Sequence, residues 1–512
     1  MMIKSFVQYI EISEPQLGNN TADVERIKAV IKKITKQDAI FFPTTLANDL
    51  PQKLRQWDHK IKVVLFKNSL GWQIVDILKP DRDRALFGVA IDLGTTRIVL
   101  RLINLESGVS CGELSFDNPQ VAIAPDVLAR IHHARTKEGL IELKELVISE
   151  INNHIKKLSP KELVYLVAIS GNSAMTHLFL GVDPTFLIRE PYIPAINVPE
   201  PVAACEIGVD INARGVVYLF PNIGSYFGGD LISGILFCGL HKKDNPSIMV
   251  DVGTNAEVVV GYRDWLIACA GAAGPALEGG ISDMGMAAKP GVIDRVKIDH
   301  LTGDVDVHTI EDKPAVGICG SGMIDLAAEL FLSGMVDIRG QLVPEHCKDR
   351  YFEKDGVGYF CLVDNSSQKN LPNIELSQVE INSLTSSKAA MYSILQVIIE
   401  KIAGLKFDDL EKFYVAGTFG SFINPKSAIS IGMLPDIPID KFEVVGNSSL
   451  EGASKFLLNP DSFDEIEVIR QAITYIELNV NQEFMNIFSG AKFYPHTDAS
   501  RFPSVKIKKT EN

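Results

Sequence analysis

The sequence predicts an α/β protein: a small α/β domain followed by two related halves whose sheets are covered by helices. Three observations lead there. From Phe87 onward, apolar strand-like runs alternate with helical runs. An apolar strand ending in Asp-x-Gly-Thr occurs twice in register, in IDLGTTRIVL (from Ile91) and VDVGTNAEVV (from Val250). The first 85 residues have a pattern of their own and no such turn.

Within residues 1–85, FVQYIEI and KIKVVLF read as strands, and NSLGWQIVDIL completes a hairpin. TADVERIKAVIKKI has apolar residues at helical spacing, and Thr21 is its expected cap. The charged run KPDRDR is a linker. Residues 86–247 form the expected first lobe, with FGVAIDL, IVLRLINL and LVYLVAIS as strands. Its helices are expected near Pro125–His133, over Leu140–Leu158 and after the turn in GNSAMTHLFLG. Residues 248–450 form the expected second lobe, containing the Asp251 strand, the helical run SSKAAMYSILQVIIEKIAG and the strand KFYVAGTF. Residues 451–490 are read as a C-terminal helical segment and 491–512 as a tail.

Composition narrows the function classes. A chain of 512 residues with 46% hydrophobic and 22% charged residues reads as soluble and globular. Its net charge of -14 argues against a nucleic-acid partner. No apolar run approaches the ~20 residues that span a bilayer, and no signal peptide is evident, so no membrane role is expected. The seven cysteines, Cys111, Cys205, Cys238, Cys269, Cys319, Cys347 and Cys361, include no CxxC pair. That spacing suits reduced thiols in a cytoplasmic protein, not zinc or a disulfide framework.

The two Asp-Gly turns carry the chemistry. Asp92 and Asp251 each end an apolar strand, where a carboxylate needs a partner. A hydrated Mg2+ ion with nucleotide phosphates is such a partner. Gly94, Thr95 and Thr96, and Gly253, Thr254 and Asn255, offer backbone N–H groups and side-chain donors to phosphate oxygens. Two hairpins with aspartate at the turn are the plainer alternative, although a second in-register copy weighs against it. Arg97 either adds positive charge or lies on the solvent face. In GICGSGMID, Gly320, Ser321 and Gly322 open a helix whose dipole would favour an anion or a ribose. In VAGTFGSFINP, Gly417, Thr418 and Gly420 follow a strand and suit close approach of an adenine. Phe419 and Phe422 there read as core. Asp230, in GGDLISGIL, lies near a helix start, either as a reactive group or as its N-cap. Glu257 and Glu278 are secondary candidates for metal or water positioning, with buried structural pairing as the alternative. His177, on an apolar helical stretch, reads as structural.

This loop order resembles the two-lobed actin and sugar-kinase fold, which is ribonuclease-H-like and known as the ASKHA superfamily. The resemblance implies ATP in the cleft, with Asp92–Thr96 and Asp251–Asn255 as phosphate loops and Ala416–Gly420 as the adenosine loop. It also places Asp230 where the sugar kinases carry a catalytic base. A closer resemblance, over nearly everything after Phe87, is to the ATPase region of the reductive activators of corrinoid proteins. It rests on DNPQVAIAPDVLARI, PNIGSYFGGDLISGIL, ACAGAAGPALEGG, VAGTFGSFINPKSAISIGMLPDIP, VGNSSLEGA and YIELNVNQEFMNIFSGAKFYPH. This resemblance implies Mg-ATP-dependent return of a methyl-carrying corrinoid protein from Co(II) to Co(I).

Members of that family commonly carry a 2Fe–2S module, whereas the first 110 residues here contain no cysteine. The cofactors expected are therefore ATP and Mg2+, with no iron–sulfur cluster and with a separate low-potential electron donor. Residues 1–85 look like the family's small middle domain. A cluster held by Cys269 and Cys319, as between the subunits of dehydratase activators, is disfavoured by their Gly/Ala-rich surroundings. Whether the chain forms a homodimer stays open. Two other readings stay open as well: a small-molecule kinase of the same fold, and a nucleotide-gated interaction module without catalysis.

Overall fold

A computed structural model describes residues 5–253, 256–263, 265–271, 284–286, 288–300, 302–366, 371–417, 423–477 and 482–506. The chain folds as two compact units. The first contains residues up to Gly239 together with Ser448–Ala472, and the second contains Leu240–Asn447 together with the chain from Ile473 on.

In the first unit, β1 (Val7–Glu11), β2 (Ile40–Phe41), β3 (Lys60–Asn68) and β4 (Gly71–Leu78) form a sheet in the order β1-β3-β4-β2. Helix α1 (Asp23–Thr35) starts after Ala22, not Thr21 as expected, and no side chain caps it. Asp23 and Glu25 in its first turn complement the helix dipole instead. This sheet does not keep a core to itself. Phe6 stacks on Phe66 with centroids 5.8 Å apart, and Phe6 meets Phe456 of the helix Ser448–Leu458 at 5.9 Å. Truncating a buried phenylalanine such as Phe456 typically costs about 3–5 kcal/mol, so the small domain and the distant helix stabilise each other.

The second sheet contains β5 (Phe87–Leu93), β6 (Arg97–Asn104), β7 (Ser110–Asp117), β8 (Val164–Gly171), β9 (Val202–Ala203) and β10 (Val216–Leu219). Its order is β7-β6-β5-β8-β10-β9. Strands β5, β6 and β7 form an antiparallel meander, while β8 is parallel to β5 and β10 is parallel to β8. All eight residues of β8 are buried, as expected for a strand covered on both faces. The two-residue period of β5 sorts its side chains. Val89, Ile91 and Leu93 join a core with Leu143, Val147 and Ile151 of the long helix Lys137–Leu158. Gly88, Ala90 and Asp92 face the other way, where a Cβ on Gly88 would lie 3.1 Å from Leu457 of the helix Ser448–Leu458. Small residues thus admit that helix and leave Asp92 at the end of the same face.

The second unit repeats this topology. β11 (Ser247–Val252), β12 (Ala256–Tyr262) and β13 (Trp265–Gly271) form an antiparallel meander. The strand Lys412–Ala416 lies parallel to β11, and the strand Phe442–Gly446 lies parallel to Lys412–Ala416. A further strand, Ile473–Glu477, pairs in parallel with β13. Strand β11 therefore occupies the place that β5 holds in the first unit, and Asp251 the place of Asp92. The core beneath is built by Val250, Val252 and Val258 with Leu384, Met391 and Leu395. Those last three lie on the helix Gln378–Gln396, which opens with a Ser377–Glu380 capping box. Tyr494 and Phe502 are buried in the same core. Among the described residues no helix is long and apolar enough to cross a membrane.

Candidate functional site

In the first unit the β5–β6 turn is held by its carbonyl groups. Asn118 Nδ2 donates to Gly94 O at 2.9 Å, Arg130 Nη2 to Thr95 O at 2.7 Å, and Asn118 N to Thr96 O at 2.8 Å. In a planar trans peptide the N–H points opposite to the C=O. The Thr95 and Thr96 N–H groups therefore point away from Asn118 and Arg130, as an anion-binding turn requires. Gly94 has no room for a side chain, since a Cβ there would lie 2.3 Å from Arg97 O. Thr95 Oγ1 accepts from Asn172 Nδ2 at 3.0 Å, and Asn172 also caps the helix Ser173–Leu180. Arg97 is exposed, and its Nε donates to Ser115 Oγ on the neighbouring β7.

Asp92 is half-buried at the end of β5. Ser449 Oγ donates to its Oδ1 at 2.7 Å. Ser449 is fixed in turn by Ser233 Oγ, which donates to Ser449 O at 2.7 Å, and by a hydroxyl contact with Ser170. Sequence reasoning did not identify this serine cluster. VGNSSLEGA carries part of the family resemblance, but no pattern in it ties Ser449 to a strand so far away in sequence.

Asp230 is the second residue of the helix Gly229–Cys238, whose N-cap position belongs to Gly228. Its Oδ1 accepts from Leu231 N at 2.9 Å. Burial pushes the Asp230 carboxyl up to about 7, and the nearby Asp92 charge adds to the rise. The structure thus sets a carboxyl raised by burial near a second carboxylate, a placement suited to proton exchange at Asp230.

In the second unit Asp251 is half-buried at the end of β11, opposite Glu257 and Ala416 in the ladder. Gly417 follows directly after the strand Lys412–Ala416 with φ +87°, and a Cβ there would lie 2.7 Å from Asp251 Oδ1. The glycine of the expected adenosine loop is thus required by the carboxylate of the second Asp-Gly turn. Gly253 is described at the start of that turn, whereas Thr254, Asn255, Thr418 and Gly420 lie outside the described residues, as do Glu278, Phe419 and Phe422.

Gly320, Ser321 and Gly322 form the first turn of the helix Gly320–Leu332, with Cys319 at its N-cap position and no side-chain capping bond. All three are buried. Ser321 Oγ donates to Asp294 O at 3.3 Å, and a Cβ on Gly322 would lie 2.5 Å from Ile293 O, so this turn seats tightly on the strand Val292–Ile298. His177 is buried, with Nδ1 2.7 Å from Ser173 O. Cys269 is fully buried in β13, and burial raises its thiol above the ordinary range; Cys319 is buried with Sγ 3.3 Å from Ile293 O.

Each unit by itself offers groups that suit Mg-ATP: the first has the Asp92 carboxylate, a turn with its N–H groups turned outward and the raised carboxyl of Asp230, and the second has Asp251 at the topologically equivalent strand end. A magnesium ion that keeps most of its waters needs one or two such carboxylates plus phosphate oxygens.

Comparison with known proteins gives matches along almost the whole chain. Residues 5–84 match the model described as the RACo linker region, and 87–243 match the RACo middle region. Residues 245–506 match the C-terminal domain of RACo, the ASKHA domain. The corrinoid activation enzyme RamQ of Eubacterium limosum is 29% identical over 432 residues, covering 82% of this chain and 72% of that protein. The [Co(II) methylated amine-specific corrinoid protein] reductase of Methanosarcina barkeri is 25% identical over 439 residues, covering 79% and 76%. A solved structure of a reductive activator for corrinoid, iron–sulfur protein superposes with a TM-score of 0.84 at 36% identity, covering 98% of this chain and 81% of that one.

Proposed function

The chain belongs to the RACo family and has its ASKHA-type fold, and on that premise we propose that it is an ATP-dependent activator of a methyltransferase corrinoid protein. In this reading it assists the return of the partner's cobalt from Co(II) to Co(I), with electrons from a separate low-potential donor. The observation that carries ATP use is the repeated strand-end carboxylate: Asp92 and Asp251 occupy equivalent places in two units of the same topology.

Asp92 and Asp251 would hold magnesium through its waters. Magnesium so held neutralises phosphate charge and polarises the terminal phosphoryl group. Gly94, Thr95 and Thr96, with Gly253, Thr254 and Asn255, would receive the phosphates; Gly417, Thr418 and Gly420 would receive the adenosine. The buried Gly320–Gly322 turn would contribute through its helix dipole. Asp230, lifted to about 7, is partly ionised at neutral pH and would accept the proton of the attacking water. Ser449 orients Asp92 for its role.

The proposal is tested by ATP turnover measured alone and with a Co(II) corrinoid protein. Slow basal hydrolysis that rises when the corrinoid protein is added supports it. Turnover that depends on a sugar or carboxylate acceptor would identify a kinase instead, and Mg-ATP left intact for hours would identify a non-catalytic module.

A further inference from the structure

Arg130 is fully buried on the helix Val127–His133, and three neutral groups receive its guanidinium. Nε donates to Ala124 O at 3.0 Å, Nη1 to Met175 Sδ at 3.2 Å and Nη2 to Thr95 O at 2.7 Å. Among the described residues it makes no ion pair. Asp126, which attracts it weakly, is exposed and caps Ala129 N at 2.8 Å. Burial without a carboxylate lowers the guanidinium to about 10.

A buried cation lacking an anion is a costly arrangement, and an anion bound nearby would offset part of that cost. Arginine suits the role because its planar fork binds several carbonyl groups at once while staying charged. Here one prong holds the carbonyl of the residue at the centre of the first Asp-Gly turn. Asn172, which caps the helix Ser173–Leu180, donates to Thr95 Oγ1 in the same turn, while Met175 of that helix receives Arg130.

We propose that Arg130 is a positioning residue for the first phosphate turn, fixing the Thr95 carbonyl and supplying the buried positive charge that favours phosphate there. The inference rests on the nucleotide-binding reading above and assigns Arg130 no contact with the reacting atoms. It predicts that phosphate affinity depends on the charge at position 130 as well as on its shape.

The test is calorimetric binding of Mg-ATP to the full-length wild-type chain, Arg130→Lys, Arg130→Met and Arg130→Gln, with thermal melts of each without nucleotide. Arg130→Met and Arg130→Gln should bind at least about tenfold more weakly than wild type, a difference of about 1.4 kcal/mol. Arg130→Lys should recover most of that loss. Equal affinity in wild type and Arg130→Met would overturn the proposal. So would equal losses in the Lys and Met variants, because charge would then not be the cause. Failure of both uncharged variants to fold, with Arg130→Lys folded, would mark a purely structural residue and overturn it as well. If wild type itself does not bind Mg-ATP, the nucleotide reading fails first, which keeps the two outcomes distinct.

Discussion

Replacing Asp230 with asparagine should make the protein more stable at alkaline pH while stopping ATP turnover. Burial raises the Asp230 carboxyl from 3.8 to about 7, a change of about three units at 1.36 kcal/mol each. The folded state keeps this proton while the unfolded chain has lost it, so wild-type stability falls as pH rises from about 4 to about 7. Above that range the full cost of the ionised carboxylate is present. Its upper limit is about 4 kcal/mol, and solvent relaxation around a partly exposed group brings the expected value to about 2 kcal/mol. Asparagine cannot ionise and avoids the cost. Asp230→Asn and wild type should therefore be nearly equal at about pH 3.5 and should diverge in favour of the variant up to about pH 8. Urea denaturation in a Trp265→Phe background reads the right unit, because Trp57 and Trp72 lie with Asp230 in the first unit. Turnover of Asp230→Asn should fall about 10²- to 10⁴-fold, the usual contribution of a general base. A stability difference independent of pH, or a variant less stable than wild type at pH 8, would refute the desolvated carboxylate. Unchanged turnover would refute its role as base.

Asp251→Ala should abolish Mg-ATP binding measured by calorimetry, and unchanged affinity would contradict the assignment of that carboxylate. Gly417→Ala places a methyl 2.7 Å from Asp251 Oδ1 on a backbone with φ +87°; Mg-ATP affinity should drop at least about tenfold in the same assay. Ser449→Ala removes a hydrogen bond to the Asp92 carboxylate. It should cost about 1.5–3 kcal/mol of first-unit stability in urea denaturation.

Much of the fold was legible because periodicity and turn chemistry act locally. The two-residue period of β5 and β11, and the Asp-x-Gly turns that end them, are visible in IDLGTT and VDVGTN. The duplicated meander follows from them, since antiparallel neighbours joined by tight turns need little else. The groups that hold the turns were not legible. Asn118, Arg130, Asn172 and Ser449 reach Gly94, Thr95 and Asp92 only through tertiary structure, and none lies at a spacing that announces it. For the same reason residues 451–490 read as a C-terminal helical segment, yet Ser448–Ala472 packs in the first unit beside β5. The strand Ile473–Glu477 that follows it joins the sheet of the second. Thr21 looked like the cap of α1, but a helix entry is settled by backbone geometry as well as by side-chain preference, and Ala22 takes the position.

The most direct measurement of the central claim follows cobalt itself. The purified chain is mixed with Mg-ATP, a Co(II) corrinoid protein and a separate low-potential donor, and the corrinoid absorption is recorded under anaerobic conditions. Co(I) should form faster with the chain and Mg-ATP together than with either omitted, and Asp251→Ala should remove the acceleration. Co(I) appearing at the same rate without the chain would contradict the central claim.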